Sequence, residues 1–265
     1  KIFQNCAVRG VETTAGKVSS VVTEKGTIAC EQVVLAGGAW SRRFLRNLGI
    51  EFPQLTVISS VMRTTPLDTG LEKSCSGGKF TFRKRLDGGY TVTHRHLSMA
   101  DILPDSFRLF FQFLPALMLD WSGIRLRLGK RFIDEARLKR RWKLDERSPF
   151  EEVRILDPEP VHSILDEAAA SLRDYYPRFQ SMQIAERWAG VIDATPDVVP
   201  VISALPKVDG LYLASGFSGH GFGLGPGAGK LMAQMIIGEQ TCVDPAPFRY
   251  SRFSDGSKMR PTTGP

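Results

Sequence analysis

From Ser215 to Gly225 the sequence places five glycines in eleven residues, between the apolar run GLYLASGF (210–217) and the segment GPGAGKLMAQMIIG (225–238). The first segment reads as a buried strand. The second reads as a helix, with Pro226 in its first turn and Gly238 closing it. In that helix Leu231, Met235 and Ile236 share one face at helical spacing, which is a core face. A strand-to-helix turn so poor in side chains lets another backbone or a flat ligand approach closely. The helix that follows directs unpaired N–H groups and partial positive charge at whatever lies there. Both an electron-rich ligand and a turn that only packs tightly satisfy this pattern.

The beginning of the chain alternates short β-type runs (7–11, 17–23 and 27–36) with the turns Ala15–Gly16 and Lys25–Gly26. It ends in VVLAGGAW (33–40), where a continuous apolar run meets two glycines as a buried parallel strand meets a tight turn. Ser41 then reads as the N-cap of a short helix reaching Leu48, stopped by Gly49. From Leu55 to Arg187 the texture is different. Residues 54–64 and 79–94 are strand-like, with Asp87–Gly88–Gly89 as a hairpin turn, and helices are expected over 104–119, 132–142 and 160–176. Antiparallel strands with peripheral helices suggest an inserted domain. The expected division is 1–48 and 187–265 for one α/β domain and 49–186 for the second.

With hydrophobic residues at 42% and charged residues at 24%, a sizeable packed core is expected. The longest apolar stretch, Leu109 to Leu119, is interrupted by Gln112 and Pro115. It is too short for a transmembrane helix and reads as a core or interfacial segment. Net charge is +7, with much of the excess in RLRLGKRF (125–132) and RLKRRWK (137–143). Acidic residues interrupt this run and no nucleic-acid-binding motif accompanies it, so a solvated basic face is expected and nucleic acid is not. Weak attraction to an anionic surface or an acidic partner stays open. Cys6, Cys30, Cys75 and Cys242 show neither CxxC nor metal-ligand spacing. Reduced thiols, no metal and a cytoplasmic location are expected. The start KIFQNCAV has neither a methionine nor a signal-peptide pattern.

Three ordered segments carry a family resemblance. SGFSGHGFGLGPGAGKLMAQMI (215–236) resembles the C-terminal flavin-contact motif of FAD-dependent oxidoreductases of the D-amino-acid oxidase superfamily, which includes glycine oxidase, sarcosine oxidase and D-amino-acid dehydrogenase. VVLAGGAWS (33–41) resembles the strand and turn that pass beside FAD there. WAGVIDATPDVVPVIS (188–203) resembles the segment before the flavin strand, with its TPD-x-x-P pattern, and PFRYSRF (247–253) resembles a common family ending. The resemblance implies an α/β fold: part of a FAD-binding Rossmann-like domain with an inserted antiparallel α+β substrate domain.

By the same resemblance Val8 falls beside the adenine, and Ala36 and Gly37 form the turn close to the dinucleotide. Phe217, Ser218, Gly219, His220, Gly221, Phe222 and Gly223 form the loop whose amides hold the flavin ring, with Gly190 and Val191 alongside. Members with covalent flavin carry a cysteine near Gly190, so noncovalent FAD is expected. Ile192 stands where related enzymes often place a carboxylate-binding arginine. Either the substrate lacks a carboxylate or another group anchors it: the arginines of the inserted sheet read first as a solvated strand face, and among them Arg83 is the leading candidate for the anchor, then Arg85 or Arg95. His220 is a candidate for contact with substrate or flavin. His94, His96 and His162 read as surface or edge residues, and Trp188 and Phe222 as core or as the border of the substrate cavity. The GxGxxG fingerprint with its βαβ unit is absent, which implies a missing N-terminal dinucleotide-binding portion. The implied reaction is oxidative deamination of a small amine or D-amino acid, with hydride passing from Cα to flavin N5. A flavin-free fragment or partner subunit serving as an interaction module is the other expectation.

Overall fold

The computed structural model describes residues 1–261. The two expected turns fold β1 (Val8–Thr14), β2 (Lys17–Thr23) and β3 (Gly26–Ala29) into an antiparallel meander. Ala15 and Gly16 at the first turn are both left-handed, as a hairpin of matching twist requires. The run expected over 27–36 breaks at Cys30–Gln32, because β4 (Val33–Leu35) leaves the meander for another sheet. There it pairs in parallel with β13. The parallel pairing is as expected, but β4 is not buried: it has one neighbouring strand among the described residues, and Val34 is 41% exposed.

Helix α1 (Ser41–Asn47) follows, and Gly49, with φ of 70°, lets the chain turn away from its end. Ser41 is the first helical residue rather than the N-cap, a position Trp40 holds, and its buried Oγ has no hydrogen-bond partner.

A seven-stranded sheet dominates the middle of the chain. Its strands are β5 (Leu55–Thr64), β6 (Cys75–Gly77), β7 (Phe80–Lys84), β8 (Tyr90–His94), β9 (Ser98–Asp101), β10 (Ile124–Arg127) and β11 (Ile184–Ala194). Between β9 and β10 run α2 (Pro104–Arg108) and α3 (Phe110–Leu119), and after β10 come α4 (Lys130–Arg137) and α5 (Pro149–Glu152). The helix expected over 104–119 is thus broken at Leu109. That expected over 132–142 ends at Arg137, because the Trp142 indole is drawn into the body of the protein, where its Nε1 donates to Arg9 O at 2.8 Å. The Ser148–Glu151 capping box opens α5. Arg9 grips the same Glu151 carboxylate at 2.9 and 3.0 Å and holds its pKa down to about 2.

Helix α6 (His162–Tyr175) covers one face of the large sheet. It packs Leu165, Ala168, Ala169 and Leu172 against Met62, Phe80, Phe82, Tyr90 and Val92. Phe179 closes this core, with ring centroids 4.9 Å from Tyr90 and 5.3 Å from Phe82. Each fully buried aromatic here contributes roughly 1.5–3 kcal/mol of transfer free energy. His94 belongs to this face: it is buried rather than a surface residue. Its Nδ1 accepts from the amides of His96 and Leu97, and burial pushes its pKa down. Strand β11 runs straight through the domain boundary expected at Arg187, paired with β5 from end to end.

The last elements are β12 (Val201–Ala204), β13 (Leu211–Ser215) and α7 (Gly221–Ile237). β12 pairs antiparallel to β13, completing the sheet β12-β13-β4. Ala228, Leu231 and Met232 of α7 bury themselves against Ile202, with Met235 and Ile236 partly buried beside them.

Candidate functional site

Strand β13 ends at Ser215, and the chain reverses into α7 through Gly216 (φ 80°), Ser218 (φ 52°) and Gly219 (φ 89°). A Cβ at Gly216 would meet Thr195 Cγ2 at 2.5 Å, so this position excludes side chains on grounds of space as well as φ. The helix starts at Gly221, earlier than expected, which places Pro226 well inside it rather than in its first turn. The amides of Gly221, Phe222 and Gly223 accordingly have no partner within the helix.

The first half of α7 is bare. A Cβ at Gly223, Gly225, Gly227 or Gly229 would meet nothing within 4 Å, and the same holds at Gly190 on β11. Phe222, expected in the core, projects fully into solvent. Beside this helix a cavity of about 480 Å3 opens among Val34, Ala36, Gly38, Ala214, Phe217, Gly225, Ala228 and Gly229. It brings the Ala36–Gly38 turn and the Phe217 loop to one place, as the sequence motifs required. Val8 lies on the first sheet and packs against the core that Leu211 and Leu213 of β13 help to form, with Val33 and Leu35 of β4 beside it. His220 is the exposed N-cap of α7.

Asp193, at the end of β11, ties these turns together. Its Oδ2 accepts from Gly216 N at 2.7 Å and Gln54 Nε2 at 2.8 Å, while its carbonyl accepts from Ser218 N at 3.0 Å. Ser215 Oγ lies 3.1 Å from both Asp193 Oδ2 and Gly38 O, and Gln54 Nε2 donates to Gly38 O at 3.0 Å. One carboxylate and one amide thus fix both glycine turns relative to the large sheet. Neither Gln54 nor Asp193 was singled out in the sequence, although Asp193 lies inside the WAGVIDATPD segment. Four residues on, Asp197 is held by Arg252, with Nε to Oδ2 at 2.7 Å and Nη2 to Oδ1 at 3.1 Å, both residues being buried.

The large sheet turns the face opposite α6 toward this loop. Ile192 approaches the Gly219 position at 3.7 Å, and Gly190 and Trp188 follow it along the same face of β11. The arginines of this face differ in placement. Arg63 is paired with Glu186 and Arg85 with Asp87, whereas neither Arg83 nor Arg95 forms an ion pair among the described residues. Arg83 sits in the row of Thr91, Arg63 and Glu186. Along β5 that row is six residues from Val57, the partner of Ile192, or roughly 20 Å. Arg95 lies in the bend that follows β8 and leads into β9, whose Met99 pairs with Ile58, itself the partner of Val191 on β11.

A smaller cavity, about 100 Å3, lies between α1 and the start of α2, among Trp40, Arg42, Arg43, Arg46, Asp105 and Glu135. It is a junction of ion pairs, with Arg42 donating to Asp105 at 2.8 Å. Burial works to raise the pKa of Asp105. The Arg42 bond and the charges of Arg42, Arg46 and Arg43 outweigh it and hold the carboxyl below the usual range.

Comparison with known proteins now bears on this geometry. The family model described as "FAD dependent oxidoreductase" matches residues 1–235. The structure of L-amino acid deaminase from Proteus myxofaciens is 35% identical, with a TM-score of 0.90 over 94% of this chain and 56% of that one. Glycine oxidase of Pseudomonas aeruginosa is 24% identical over 94% of this chain and 53% of its own length. D-amino acid dehydrogenase of Bradyrhizobium diazoefficiens is 25% identical over 94% and 47% respectively. The chain spans about half the length of the curated relatives it matches.

Proposed function

Because the chain belongs to the FAD-dependent oxidoreductase family, we propose that the protein holds FAD noncovalently and oxidatively deaminates an amino acid or closely related amine. The bare first half of α7 carries this reading. Open space over Gly225 and Gly229, which line the cavity, and again at Gly190, accommodates a flat ring system that side chains there would obstruct. The three free amides at the start of α7 suit the polar edge of that ring, which gains negative charge on reduction. The apolar cavity among Val34, Ala36 and Phe217 suits its hydrocarbon part. Val8, Ala36 and Gly37 stand on the dinucleotide side of this reading, and Gly190 offers no sulfur for a covalent attachment.

Bound FAD would supply the acceptor for the hydride that leaves the substrate Cα. The chain's own residues then act by position. Asp193 and Gln54 hold both glycine turns, Ile192 sets an apolar side chain against the loop at Gly219, and an arginine of the large sheet receives the substrate carboxylate. Placement favours Arg95 over Arg83 for that role, since the bend that holds Arg95 leads to the end of the sheet where Ile58 pairs with Val191. His220, exposed at the head of α7, is the proposed hydrogen-bonding partner at the mouth of the site. The 35% identity to an L-amino acid deaminase favours the L series. The D series is the second reading, supported by the dehydrogenase at 25%.

Purified full-length protein should be yellow, and acid precipitation should release all the flavin into the supernatant. Under anaerobic conditions L-amino acids should bleach it faster than their D enantiomers or the decarboxylated amines. Colourless protein, or flavin left in the pellet, would count against the cofactor reading; failure of every amino acid to bleach it would count against the substrate.

Gly221→Val tests the ring site separately. A Cβ at Gly221 would meet only the Phe217 side chain, at 3.4 and 3.6 Å, which is ordinary contact, and its φ is not left-handed, so the fold accepts valine. The expected result is loss of most bound flavin with unchanged far-ultraviolet circular dichroism. Full flavin occupancy in a folded variant would remove this loop from the site.

A further inference from the structure

His94, 8% exposed, ends β8 and stands next to Arg95. Its Nδ1 accepts from His96 N at 3.2 Å and from Leu97 N at 3.0 Å. A ring nitrogen that accepts is unprotonated, so the proton of this neutral imidazole sits on Nε2. Nε2 is buried and has no hydrogen-bond partner among the described residues. A buried N–H left unpaired is costly, and an apolar side chain at this position would avoid that cost. What the imidazole provides instead is local order. Arg95 N donates to Lys79 O at 3.2 Å, so three successive amides pin the bend from Arg95 to Leu97, two of them on one imidazole nitrogen. The Arg95 side chain is exposed and forms no hydrogen bond or ion pair among the described residues. The backbone of this bend therefore sets the point from which its guanidinium reaches out.

We infer that His94 is a positioning residue for Arg95: its neutral imidazole holds the bend that presents this guanidinium to the substrate carboxylate, and protonation of Nδ1 releases the bend. The inference rests on the proposed role of Arg95 as the carboxylate anchor. A proton on Nδ1 removes the lone pair that both amides use and sets donors against one another. Burial disfavours the charged ring and keeps its pKa below the ordinary histidine value. Glu167 on α6 works the other way, but its carboxylate is already shared by Arg125 of β10 at 2.7 Å and by Lys79, ahead of β7, at 3.3 Å. Those two cations, and His96 in the bend itself, also oppose protonation. The bend is thus held above the lowered pKa and lost as pH falls through it, and the grip on carboxylates is lost with it.

Full-length holoprotein would be assayed from about pH 5 to pH 8 with the L-amino acid that bleaches the flavin fastest and with its decarboxylated amine. In His94→Leu the KM of the amino acid should rise on the order of tenfold, the scale of losing two hydrogen bonds, with kcat and the amine little changed. His94→Asn offers Oδ1 near the place of Nδ1 but does not titrate. It should restore the KM and abolish the rise in KM that wild type shows toward acid pH. Amide hydrogen exchange at His96 and Leu97 should be fast in His94→Leu and slow in His94→Asn. Should leucine disrupt the core, the pH profile of His94→Asn decides. Equal KM increases for acid and amine overturn the inference, and so does an acid-side rise that persists in His94→Asn. A wild-type KM in His94→Leu, beside an acid-specific loss in Arg95→Lys, overturns it and leaves the anchor reading standing. Arg95→Lys without that acid-specific loss overturns both.

Discussion

Replacing Arg252 by methionine is expected to destabilise the protein by about 3–5 kcal/mol, the scale for removing one partner of a buried ion pair. Arg252 is 5% exposed and makes two bonds to the Asp197 carboxylate, a third to Val199 O at 2.6 Å and a fourth to Arg249 O at 2.9 Å. Methionine fills much of the volume but leaves Asp197 as an uncompensated buried charge. It also releases the 195–200 turn, in which Val198 holds a φ of 63° that a β-branched residue resists. Urea unfolding of the variant measures the loss. Arg252→Met/Asp197→Leu should recover much of it, because no charge then remains buried. A single-variant loss below about 1 kcal/mol would mean that the pair is solvated and contributes little.

The second large effect is kinetic. Arg95→Lys is expected to lower kcat/KM for amino acids by roughly 30- to 1000-fold, or about 2–4 kcal/mol of transition-state stabilisation. Lysine keeps the charge but not the planar fork that grips a carboxylate. Decarboxylated amines, which lack that group, should react at nearly the wild-type rate, and Arg83→Lys should leave both classes little changed. If Arg83→Lys instead carries the acid-specific loss, the anchor is the arginine the sequence put first. Equal losses on acids and amines would point to flavin placement.

Much of the site's framework is legible in the sequence because it is local. The strand–turn–helix at 211–237 and the parallel strand with its two glycines at 33–38 show themselves in runs of a dozen residues. The extents of the arm's helices are not legible in that way. Apolar periodicity over 104–119 and 132–142 says helix, but the first breaks at buried Leu109 and Trp142 is claimed by distant Arg9, and a tertiary contact outweighs a few tenths of a kcal/mol of propensity. His94 was misread as a surface residue because its alternation with Val92 and Tyr90 matters only once α6 is known to cover that face. The core reading of Phe222 failed in the other direction: an aromatic residue in a glycine-rich turn reads as core, but the helix begins one residue before it and points it outward. Gln54 and Asp193 escaped notice because their meaning lies in residues far away along the chain.

That distance has a kinetic side. The bonds that fix the two glycine turns close loops of 139 residues between Gln54 and Asp193, 161 between Gln54 and Ser215, and 177 between Gly38 and Ser215. Contacts so remote form only after most of the intervening chain has ordered, because their closure entropy must be offset by structure already in place. The turns therefore take their final shape late in folding. If the proposed site is the cofactor's, a nascent chain has no complete one until the 215–225 segment has been synthesised and docked, so cofactor uptake would follow folding of this part of the molecule rather than guide its first steps.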